Sequence, residues 1–429
     1  MAEEILSAKA QEQVASVGAA EIVVGIPSFN NARTIAHVVG AAHAGLLKYF
    51  PDQRAIIVNS DGGSKDGTPE TVETSSLDTQ ALLLVTHPLQ PVHRLTTPYH
   101  GLPGKGSAFR TIFRIAELVQ ARACAVVDAD LRSITPEWID LLLRPVLERE
   151  FDYVAPFYKR HRYDGTITNS IVYPLTRALF GRRVRQPIGG EFGLSGRLAT
   201  HLASRDVWAT DVARYGIDIW MTTTAIAENF RVCQAYLGAK IHDAKDPGSD
   251  LSAMLVQVVG SVFGLMETYE NVWRSVFGSL PAPLFGFPFE VGLEPVPINV
   301  GRMLAAFQQG VRDLAPVYEE FIAPESLRQL QKCAEQISQE GAKFALPEDV
   351  WVSVIFDFGL AYHRRTIDRE HLVKSLTPLY LGWVASFAMQ TEQESALQVE
   401  DRIERLCLTY EQLKPYLTTQ WPLRAPEKR

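Results

Sequence analysis

Short apolar runs alternate with amphipathic stretches from residue 21 onward, and this alternation constrains the fold more than any other feature of the chain. "EIVVGIPSF" has the length and character of a strand, and Asn30 or Asn31 is a suitable N-cap for a helix that ends before Pro51. Apolar side chains recur at helical spacing in between: Ile35, Val38, Val39, Ala42, Leu46 and Phe50. The same order returns in "RAIIVNSDGGSKDGT", "ALLLVTH", "GKGSAFRTIFRIAELVQ" and "ACAVVDADL". This β-α-β order predicts an α/β fold with a mostly parallel sheet and helices on its faces.

Polar residues follow the predicted strands at their carboxyl ends, in segments 28–31, 59–66 and 128–130. In open sheets of this kind, ligands bind at the carboxyl ends of the strands. The sequence therefore predicts a site built from strand-end loops. No G-x-G-x-x-G motif opens the first helix, which argues against a dinucleotide-dependent oxidoreductase.

The pattern changes to long helical stretches after about residue 250. Apolar residues share one helix face over 327–337 and again over 399–413. Residues 278–300 are rich in Pro and Gly and predict an irregular connection. We therefore divide the chain into a loose N-terminal arm at 1–20, an α/β domain at 21–250 and an all-helical domain at 251–429.

Composition and charge exclude several classes of protein. The net charge of −7 argues against a nucleic-acid-binding protein, because phosphate-backbone affinity comes from clustered Lys and Arg. The apolar stretch 254–266 is shorter than the roughly 20 residues of a membrane span, so it predicts a buried helix. The first 20 residues lack the basic start and apolar core of a signal peptide, and the four cysteines lie far apart. We expect a cytoplasmic protein without nucleic-acid or membrane partners.

The run "VVDADLRS" at 126–133 ends a predicted strand in two aspartates. Alternation along a strand puts Asp128 and Asp130 on one face, where they repel each other unless a positive group neutralises them. Mg²⁺ or Mn²⁺ suits this role, because such ions take oxygen ligands and commonly retain substrate phosphates. Lys105, at a Gly-rich turn that opens a helix, is placed to add a second positive contact to a diphosphate. The alternatives are a solvated acidic turn and an ordinary surface lysine.

Seven motifs follow one another in the order of a known group of enzymes: "IPSFNN", "NSDGGSKDGT", "PGKGSA", "VVDADL", "QPIGGEF", "YGIDIW" and "KIHDAKDP". Over about residues 20–250 the chain resembles retaining GT-A glycosyltransferases that act on glycerate or 3-phosphoglycerate, namely the mannosylglycerate, glucosylglycerate and glucosyl-3-phosphoglycerate synthases. The resemblance implies a GT-A fold, with the Rossmann-like mixed sheet of nucleotide-diphospho-sugar transferases and an additional all-helical C-terminal domain. It also implies a metal-dependent hexosyltransferase.

The resemblance assigns roles to individual positions. The implied donor-binding residues are Pro27, Ser28, Asn31, Asp61, Lys105, Asp128, Gly189 and Gly190. The implied metal ligands are Asp128, Asp130 and His242, and the implied acceptor-binding residues are Thr168, Gly190, Tyr215 and Asp218. The implied catalytic residues are Asp218, Lys105 and Glu191. The "DAKDPGSD" loop after His242 is a candidate lid over the donor. Retention in such enzymes is usually explained by front-face attack, in which the leaving diphosphate takes the acceptor proton.

The acceptor side departs from the phosphoglycerate pattern. Thr166 and Ala244 stand where the phosphoglycerate enzymes tend to have arginine and asparagine, which favours free D-glycerate over 3-phosphoglycerate. The basic runs "YKRHR" and "RRVR" are alternative phosphate contacts or solvated surface charge.

The donor is a nucleotide sugar, and "QPIGGEF" and "YKR" favour glucose over mannose. Whether the nucleotide is UDP or GDP stays open. The hypothesis is therefore a glucosylglycerate synthase that makes a compatible solute, acts with Mg²⁺ or Mn²⁺ and forms a homodimer. The alternatives are a glucosyl-3-phosphoglycerate synthase, a mannosylglycerate synthase and a non-catalytic sugar-nucleotide-binding protein.

Overall fold

The computed structural model describes residues 5–74, 92–98, 104–242, 252–289, 291–337 and 344–422. The chain divides into two compact units. The α/β unit comprises Met1–Arg160, Val184–Asp243 and Pro281–Glu294. The helical unit comprises His161–Arg183, Ala244–Leu280 and Pro295–Arg429.

These units differ from the domain boundaries predicted at 20/21 and 250/251. The helical unit takes in residues 161–183, because Arg177 is buried there between Glu404 and Glu411 of the same unit. The α/β unit takes in residues 281–294, because Leu284 and Phe285 add a strand to its sheet. Both segments therefore join the unit that satisfies their charges or backbone hydrogen bonds.

One eight-stranded sheet forms the centre of the α/β unit, and its strand order is β10-β8-β5-β7-β4-β1-β2-β3. The strands among the described residues are β1 (Ile22–Ser28), β2 (Ala55–Asp61), β3 (Val92–Pro98), β4 (Ala123–Val126), β5 (Tyr153–Lys159), β6 (Arg182–Arg183), β7 (Phe192–Ser195), β8 (Val232–Ala239), β9 (Leu280–Pro281) and β10 (Leu284–Phe285). Only β7 runs antiparallel to its neighbours within this sheet, between β4 and β5. The predicted mixed sheet is confirmed.

Helices pack around the sheet and make up most of the described part of the helical unit. Those of the α/β unit are α1 (Ala8–Val17), α2 (Ile35–Tyr49), α3 (Thr68–Thr74), α4 (Lys105–Leu118), α5 (Pro136–Arg149), α7 (Gly196–Ala203) and α8 (Ile217–Ala227). Those of the helical unit are a π-helix (Thr168–Val172), α6 (Tyr173–Phe180), α9 (Ser252–Thr268), α10 (Glu270–Trp273), α11 (Val300–Asp313), α12 (Ala315–Glu319), α13 (Pro324–Ile337), α14 (Glu348–Arg364), α15 (Arg369–Thr391) and α16 (Ala396–Gln420).

The first strand and helix follow the sequence pattern closely. All six apolar residues predicted for one face of α2, from Ile35 to Phe50, are buried in the core. The predicted N-cap is wrong, because α2 begins at Ile35 and Thr34 is its N-cap. The carbonyl of Asn31 instead accepts from the backbone of Thr34 and Ile35, so residues 31–34 form a turn before the helix.

Three further details differ from the sequence predictions. The N-terminal arm is not loose: Ala10 and Val14 of α1 are buried, and the carbonyl of Val17 accepts from Arg54 at 2.6 Å. The predicted strand "ALLLVTH" lies outside the described residues, and β3 was not predicted. Strand β4 ends at Val126, so Asp128 and Asp130 lie in the following loop and strand alternation does not set their directions.

The helical character predicted for the second half is confirmed. Both predicted amphipathic stretches are helices, α13 and α16. The apolar stretch 254–266 lies in α9, with Leu255, Val259 and Phe263 buried. In the part of the chain that the structure describes, no helix has both the length and the apolar character needed to cross a membrane.

Asp357 is a buried acid in α14 of the helical unit. Its carboxylate accepts from the backbone N–H of Ala323 at 2.9 Å and from the Tyr416 hydroxyl at 2.5 Å. Burial raises the pKa of Asp357 from 3.8 to about 6, against the opposing effect of these hydrogen bonds. The folded protein therefore binds a proton here that the unfolded chain releases at lower pH.

This pKa predicts a pH-dependent stability. The stabilising contribution of protonated Asp357 is fully present below about pH 4 and is lost as the pH rises through about 6. Between pH 4 and pH 7, the free energy of unfolding of the natural protein should fall by about 2 kcal/mol relative to that of Asp357→Asn. Urea denaturation of both proteins at several pH values measures this difference, and equal pH slopes would contradict it.

Candidate active site

The carboxyl ends of three parallel strands bring the predicted site residues to one edge of the sheet. Strand β1 lies between β2 and β4, with Ser28 in register with Asp61. The Thr34 hydroxyl, in the turn after β1, donates to the carbonyl of Ala129 at 2.7 Å. This contact joins the loop after β1 to the loop that carries Asp128. The loops that the sequence predicts to form the site therefore lie along one continuous edge of the sheet.

Asp61, one of the predicted donor-binding residues, forms the centre of a buried hydrogen-bond network. Its Oδ1 accepts from the Ser28 hydroxyl at 3.0 Å and from the Ser64 hydroxyl at 2.6 Å. Its Oδ2 accepts from the backbone of Gly63 and Ser64, each at 2.8 Å. Asn59 donates to Ser28 Oγ at 2.8 Å, and its Oδ1 is buried without a partner among the described residues. Asp61 thus holds the turn after β2 in shape.

Pro27 and Asn31, two further predicted donor-binding residues, lie beside this hydrogen-bond network. Pro27 is half-buried near the end of β1 and is in register with Ser60. Asn31 accepts from the backbone of Phe29 at 2.8 Å through its side chain and donates its own N–H to Thr68 Oγ1 at 2.8 Å. The Asn31 side chain therefore fixes the loop that holds Phe29 exposed.

Five charged side chains meet at the end of β4. Lys105 Nζ lies 2.8 Å from Asp128 Oδ1 and 3.3 Å from Asp218 Oδ2. Lys240 Nζ lies 2.9 Å from Asp128 Oδ2 and 2.8 Å from Glu191 Oε1. We call Lys105, Asp128, Glu191, Asp218 and Lys240 the charge cluster. Two ammonium groups thus link three carboxylates, with Asp128 between them.

Two glycines place Lys105 beside Asp218. Gly104 and Gly106 flank Lys105 at the start of α4 and pack against the backbone at 212–214. A Cβ at Gly106 would lie 1.9 Å from the carbonyl oxygen of Val212, and one at Gly104 would lie 2.4 Å from that of Ala213. The chain then enters α8, whose first turn carries Asp218. Packing therefore requires glycine at both positions, and this close packing allows Lys105 to lie beside Asp218.

The antiparallel strand β7 delivers Glu191 to the same place. Phe192 pairs with Val126, so the residues before β7 reach the level at which Asp128 follows β4. Gly190 has a φ of 100°, and a Cβ there would lie 2.2 Å from Asp128 Oδ2. The backbone of "QPIGGEF" therefore approaches Asp128 closely at Gly190.

Tyr158 and Arg160, near the end of β5, support Glu191 and Gly189. The Tyr158 hydroxyl donates to the Glu191 carboxylate and lies 2.6 Å from the carbonyl oxygen of Gly189. The Arg160 guanidinium lies 5.1 Å from the centre of the Tyr158 ring and 3.5 Å from the same carbonyl oxygen. Gly189 itself packs on Pro156, where a Cβ would lie 2.1 Å from Cγ.

The charge cluster shifts the pKa values of its three carboxyl groups in different directions. Burial opposes the ionisation of Asp128, but the ammonium groups of Lys105 and Lys240 outweigh it and hold the pKa of Asp128 below its usual range. Burial raises the pKa of Asp218 and that of Glu191, with the lysines opposing this effect. The Asp218 Oδ1 atom is buried without a hydrogen-bond partner among the described residues. The site therefore holds one firmly ionised acid and two that burial makes more basic.

The predicted metal ligands are only partly assembled. Asp130 is half-buried in the turn after Asp128, and the carbonyl of His242 accepts from Arg132 at 3.4 Å. Within the described residues, no three His, Cys, Asp or Glu side chains are grouped as a metal site of protein ligands alone would require. Two carboxylates suffice for Mg²⁺ when substrate phosphates complete its shell, so the oxygen-rich donor set at Asp128 and Asp130 fits such an ion chemically. The predicted lid at 243–250 lies outside the described residues.

The predicted acceptor residues lie in two different units. Tyr215 is 42% exposed and precedes α8 in the α/β unit, close in sequence to Asp218. Thr168 is buried at the start of the π-helix in the helical unit. Within that unit, its neighbours Thr166 and Asn169 line a pocket of about 160 Å³ together with Trp383, Phe387 and Arg402.

Lys240, Tyr158 and Asn59 were not predicted individually as site residues, although Asn59 lies in the predicted segment 59–66 and Tyr158 in "YKR". Lys240 stands in the quoted motif "KIHDAKDP", two positions before His242, and a lysine that directly follows a buried strand was the available signal. Tyr158 and Asn59 lie within strands β5 and β2, where a polar group is as often structural as functional. Their contacts become visible only when the strands are aligned.

Comparison with known families agrees with this geometry. Residues 92–264 match the family model of the GT domain of mannosylglycerate synthase. No curated protein matches the chain. The predicted resemblance and its GT-A fold class are confirmed by the family match and the observed sheet.

Several solved structures share part of the chain's architecture. Glucosyl-3-phosphoglycerate synthase from Mycobacterium tuberculosis, in complex with Mg²⁺ and uridine diphosphate, is 20% identical over 60% of this chain and 83% of that chain, with a TM-score of 0.44. The same enzyme with Mn²⁺, UDP-glucose and phosphoglyceric acid is 20% identical over 60% of this chain and 84% of that chain, with a TM-score of 0.43. Its complex with Mn²⁺, UDP-glucose and glycerol 3-phosphate is 19% identical over 62% and 86%, with a TM-score of 0.43.

Proposed function

Because residues 92–264 match the glycosyltransferase domain of the mannosylglycerate synthase family, we propose that the chain is a retaining, metal-dependent glycosyltransferase. It transfers a hexose, glucose, from a nucleotide diphospho-sugar to D-glycerate. The observation that carries this proposal is the charge cluster at the carboxyl edge of the sheet, where two lysines and three carboxylates converge.

Two lysines and two aspartates bind different parts of the metal–donor complex. Lys105 and Lys240 supply the positive charge that a diphosphate requires, and Lys105 does so from the first residue of α4, at the positive end of the helix dipole. Asp128 and Asp130 would hold Mg²⁺ or Mn²⁺. When bound, such an ion acts as a Lewis acid that stabilises the charge developing on the leaving diphosphate. The turn held by Asp61 carries the nucleoside.

Asp218 is suited to orient the acceptor. Its Oδ1 is buried without a partner among the described residues and can accept a hydrogen bond from the attacking hydroxyl. The new bond forms between that hydroxyl oxygen and C1 of the sugar, while the bond from C1 to the diphosphate oxygen breaks on the same face. The proton passes to the departing diphosphate oxygen, so the configuration at C1 is retained without a protein nucleophile.

Thr166 supports free glycerate as the acceptor. It stands where phosphate recognition would favour an arginine, and its hydroxyl lies 2.5 Å from that of Tyr380, with the residue only 4% exposed. A buried hydroxyl with this partner offers little to a phosphate, whose strong contacts are charged and bidentate.

Arg160 favours the second candidate, 3-phosphoglycerate. Its guanidinium lies 3.5 Å from the Gly189 carbonyl oxygen, in the segment that precedes Glu191. An arginine at this position is able to bind an acceptor phosphate. Arg160 would bind the phosphate of 3-phosphoglycerate, whereas D-glycerate has no phosphate for it to bind.

A substrate panel tests the proposal. UDP-glucose, GDP-glucose, UDP-mannose and GDP-mannose are each combined with D-glycerate and with 3-phosphoglycerate, and nucleotide release is measured with Mg²⁺ or Mn²⁺. We expect turnover with a glucose donor and D-glycerate, and the anomeric configuration of the product, read by NMR, should match that of the donor. Preference for 3-phosphoglycerate that disappears in Arg160→Met would establish the second candidate instead.

Asp130→Ala tests the metal and separates an enzyme from a sugar-nucleotide-binding protein. The exchange removes a half-buried carboxylate from a turn, so the fold should persist while turnover falls at least about 100-fold. Excess EDTA should have the same effect on the natural protein. Full turnover in the variant, or in EDTA, would contradict the metal role. Nucleotide-sugar binding without turnover on any acceptor would favour the binding protein.

A further inference from the structure

Both carboxylate oxygens of Asp128 are occupied by ammonium groups. Oδ1 lies 2.8 Å from Lys105 Nζ and Oδ2 lies 2.9 Å from Lys240 Nζ. A divalent cation needs at least one of these oxygens as a ligand. Within the α/β unit, the residue proposed to bind metal therefore already has its charge neutralised by the protein.

Lys240 is the more enclosed of the two lysines. Its side chain is 5% exposed, compared with 17% for Lys105. Its ammonium group has three acceptors for its three hydrogens: Asp128, Glu191 and the Gly189 carbonyl oxygen, at 2.9, 2.8 and 2.8 Å. It follows β8 directly and is thereby fixed at the centre of the cluster.

Moving Lys240 away from Asp128 has a cost that depends on what else is bound. A buried ammonium that loses an acceptor keeps its desolvation penalty and loses part of the compensation. The diphosphate of a nucleotide would return that compensation, since it brings negative charge to the same place. A cation that arrives alone brings positive charge to a site that already holds two ammonium groups.

We propose that Lys240 is a built-in counter-ion that competes with the divalent cation for Asp128 and is released from it only when a nucleotide diphosphate supplies a new anionic partner. This inference rests on the proposed function, because it requires a metal-diphosphate complex at Asp128. It adds that cation and nucleotide bind cooperatively, and that Lys240 produces this coupling. The lysine keeps the site closed to free divalent ions.

Direct measurement of Mn²⁺ binding tests this role independently of turnover. Free Mn²⁺ is followed by electron paramagnetic resonance in titrations of the natural protein and of Lys240→Met, each alone, with UDP and with GDP. For the natural protein, the Kd for Mn²⁺ should fall at least about 30-fold when the preferred nucleotide is present, within the usual range of coupling between two sites. Without nucleotide, Lys240→Met should bind Mn²⁺ at least about 10-fold more tightly than the natural protein.

A second variant controls for misfolding of Lys240→Met. Removing Lys240 alone leaves Glu191 without its ammonium partner, so the double variant K240M/E191Q removes both charges together. Lys48→Met is the matched control, because Lys48 is an exposed lysine of the same unit that is also paired with a glutamate. Circular dichroism verifies that each variant is folded, and the control should bind Mn²⁺ like the natural protein.

The outcomes distinguish the inference from the function on which it rests. Unchanged or weaker nucleotide-free Mn²⁺ binding in both Lys240 variants, with normal cooperativity in the natural protein, would overturn the counter-ion role alone. Absence of Mn²⁺ binding to the natural protein, even with UDP or GDP, would overturn the metal-dependent function itself.

Discussion

Asp128→Asn is expected to lower turnover about 1,000-fold while leaving the protein folded. Asp128 is the group on which both lysines converge, and an amide in its place can neither neutralise them nor bind a hard cation with a full negative charge. The loss corresponds to about 4 kcal/mol of transition-state stabilisation. The fold should persist, because Lys105 keeps Asp218 and Lys240 keeps Glu191 as partners.

Steady-state kinetics and thermal denaturation together check this result. Asp140→Asn is the matched control: it is the same exchange in the same unit, and it removes a surface ion pair with Arg144 in α5. The control should retain full turnover, since exposed pairs of this kind contribute at most about 1 kcal/mol to stability. Turnover of Asp128→Asn within 10-fold of the natural protein would exclude a central role for this carboxylate.

Gly190→Ala should abolish turnover and also weaken the fold. The backbone at Gly190 has a φ of 100°, where a side chain is strained, and the new Cβ would lie 2.2 Å from Asp128 Oδ2 and 2.8 Å from Lys240 Nζ. Strain and overpacking each cost about 1–3 kcal/mol, so the free energy of unfolding should fall by about 3 kcal/mol. The methyl group would also separate Asp128 from Lys240.

Gly67→Ala separates the effect of backbone strain from the effect of the contact with Asp128. Gly67 also has a left-handed backbone, with a φ of 88°, but a Cβ there has no atom within 4 Å. We expect this control to lose about 1 kcal/mol of unfolding free energy and to retain turnover. Urea denaturation and nucleotide release provide both readouts. Similar behaviour of the two variants would show that backbone strain, and not the contact with Asp128, is what Gly190 avoids.

The elements that could be predicted from the sequence are those with a strong local pattern. Strands β1, β2 and β4 and helix α2 have apolar periodicities that local geometry largely determines. The strand-end positions of Asp61 and Asp128 followed from the same pattern, since parallel strands share a carboxyl edge.

The remaining features depend on contacts between distant parts of the chain. Arg177 is assigned to the helical unit by Glu404 and Glu411, which lie 227 and 234 positions later. Lys240 reaches Asp128 across 112 positions, and no local spacing indicates that pair. The reversed direction of strand β7 depends on its pairing with β4 and β5, which no local pattern encodes. Tertiary contacts, and not local propensity, determine these features.

The position of β5 between two strands that follow it in the chain also has a consequence for how the protein is made. On the ribosome, β5 is complete long before its two neighbours in the sheet, β7 and β8, which begin at Phe192 and Val232. Until they emerge, the largely apolar β5 has no strand to pair with, and an unpaired strand of this kind is where newly made chains associate wrongly. Slow translation between residues 160 and 230 would prolong this exposure. The yield of folded protein should therefore depend most on codon choice in the middle of the mRNA, and not at its end. It should depend in the same way on chaperones that bind nascent chains.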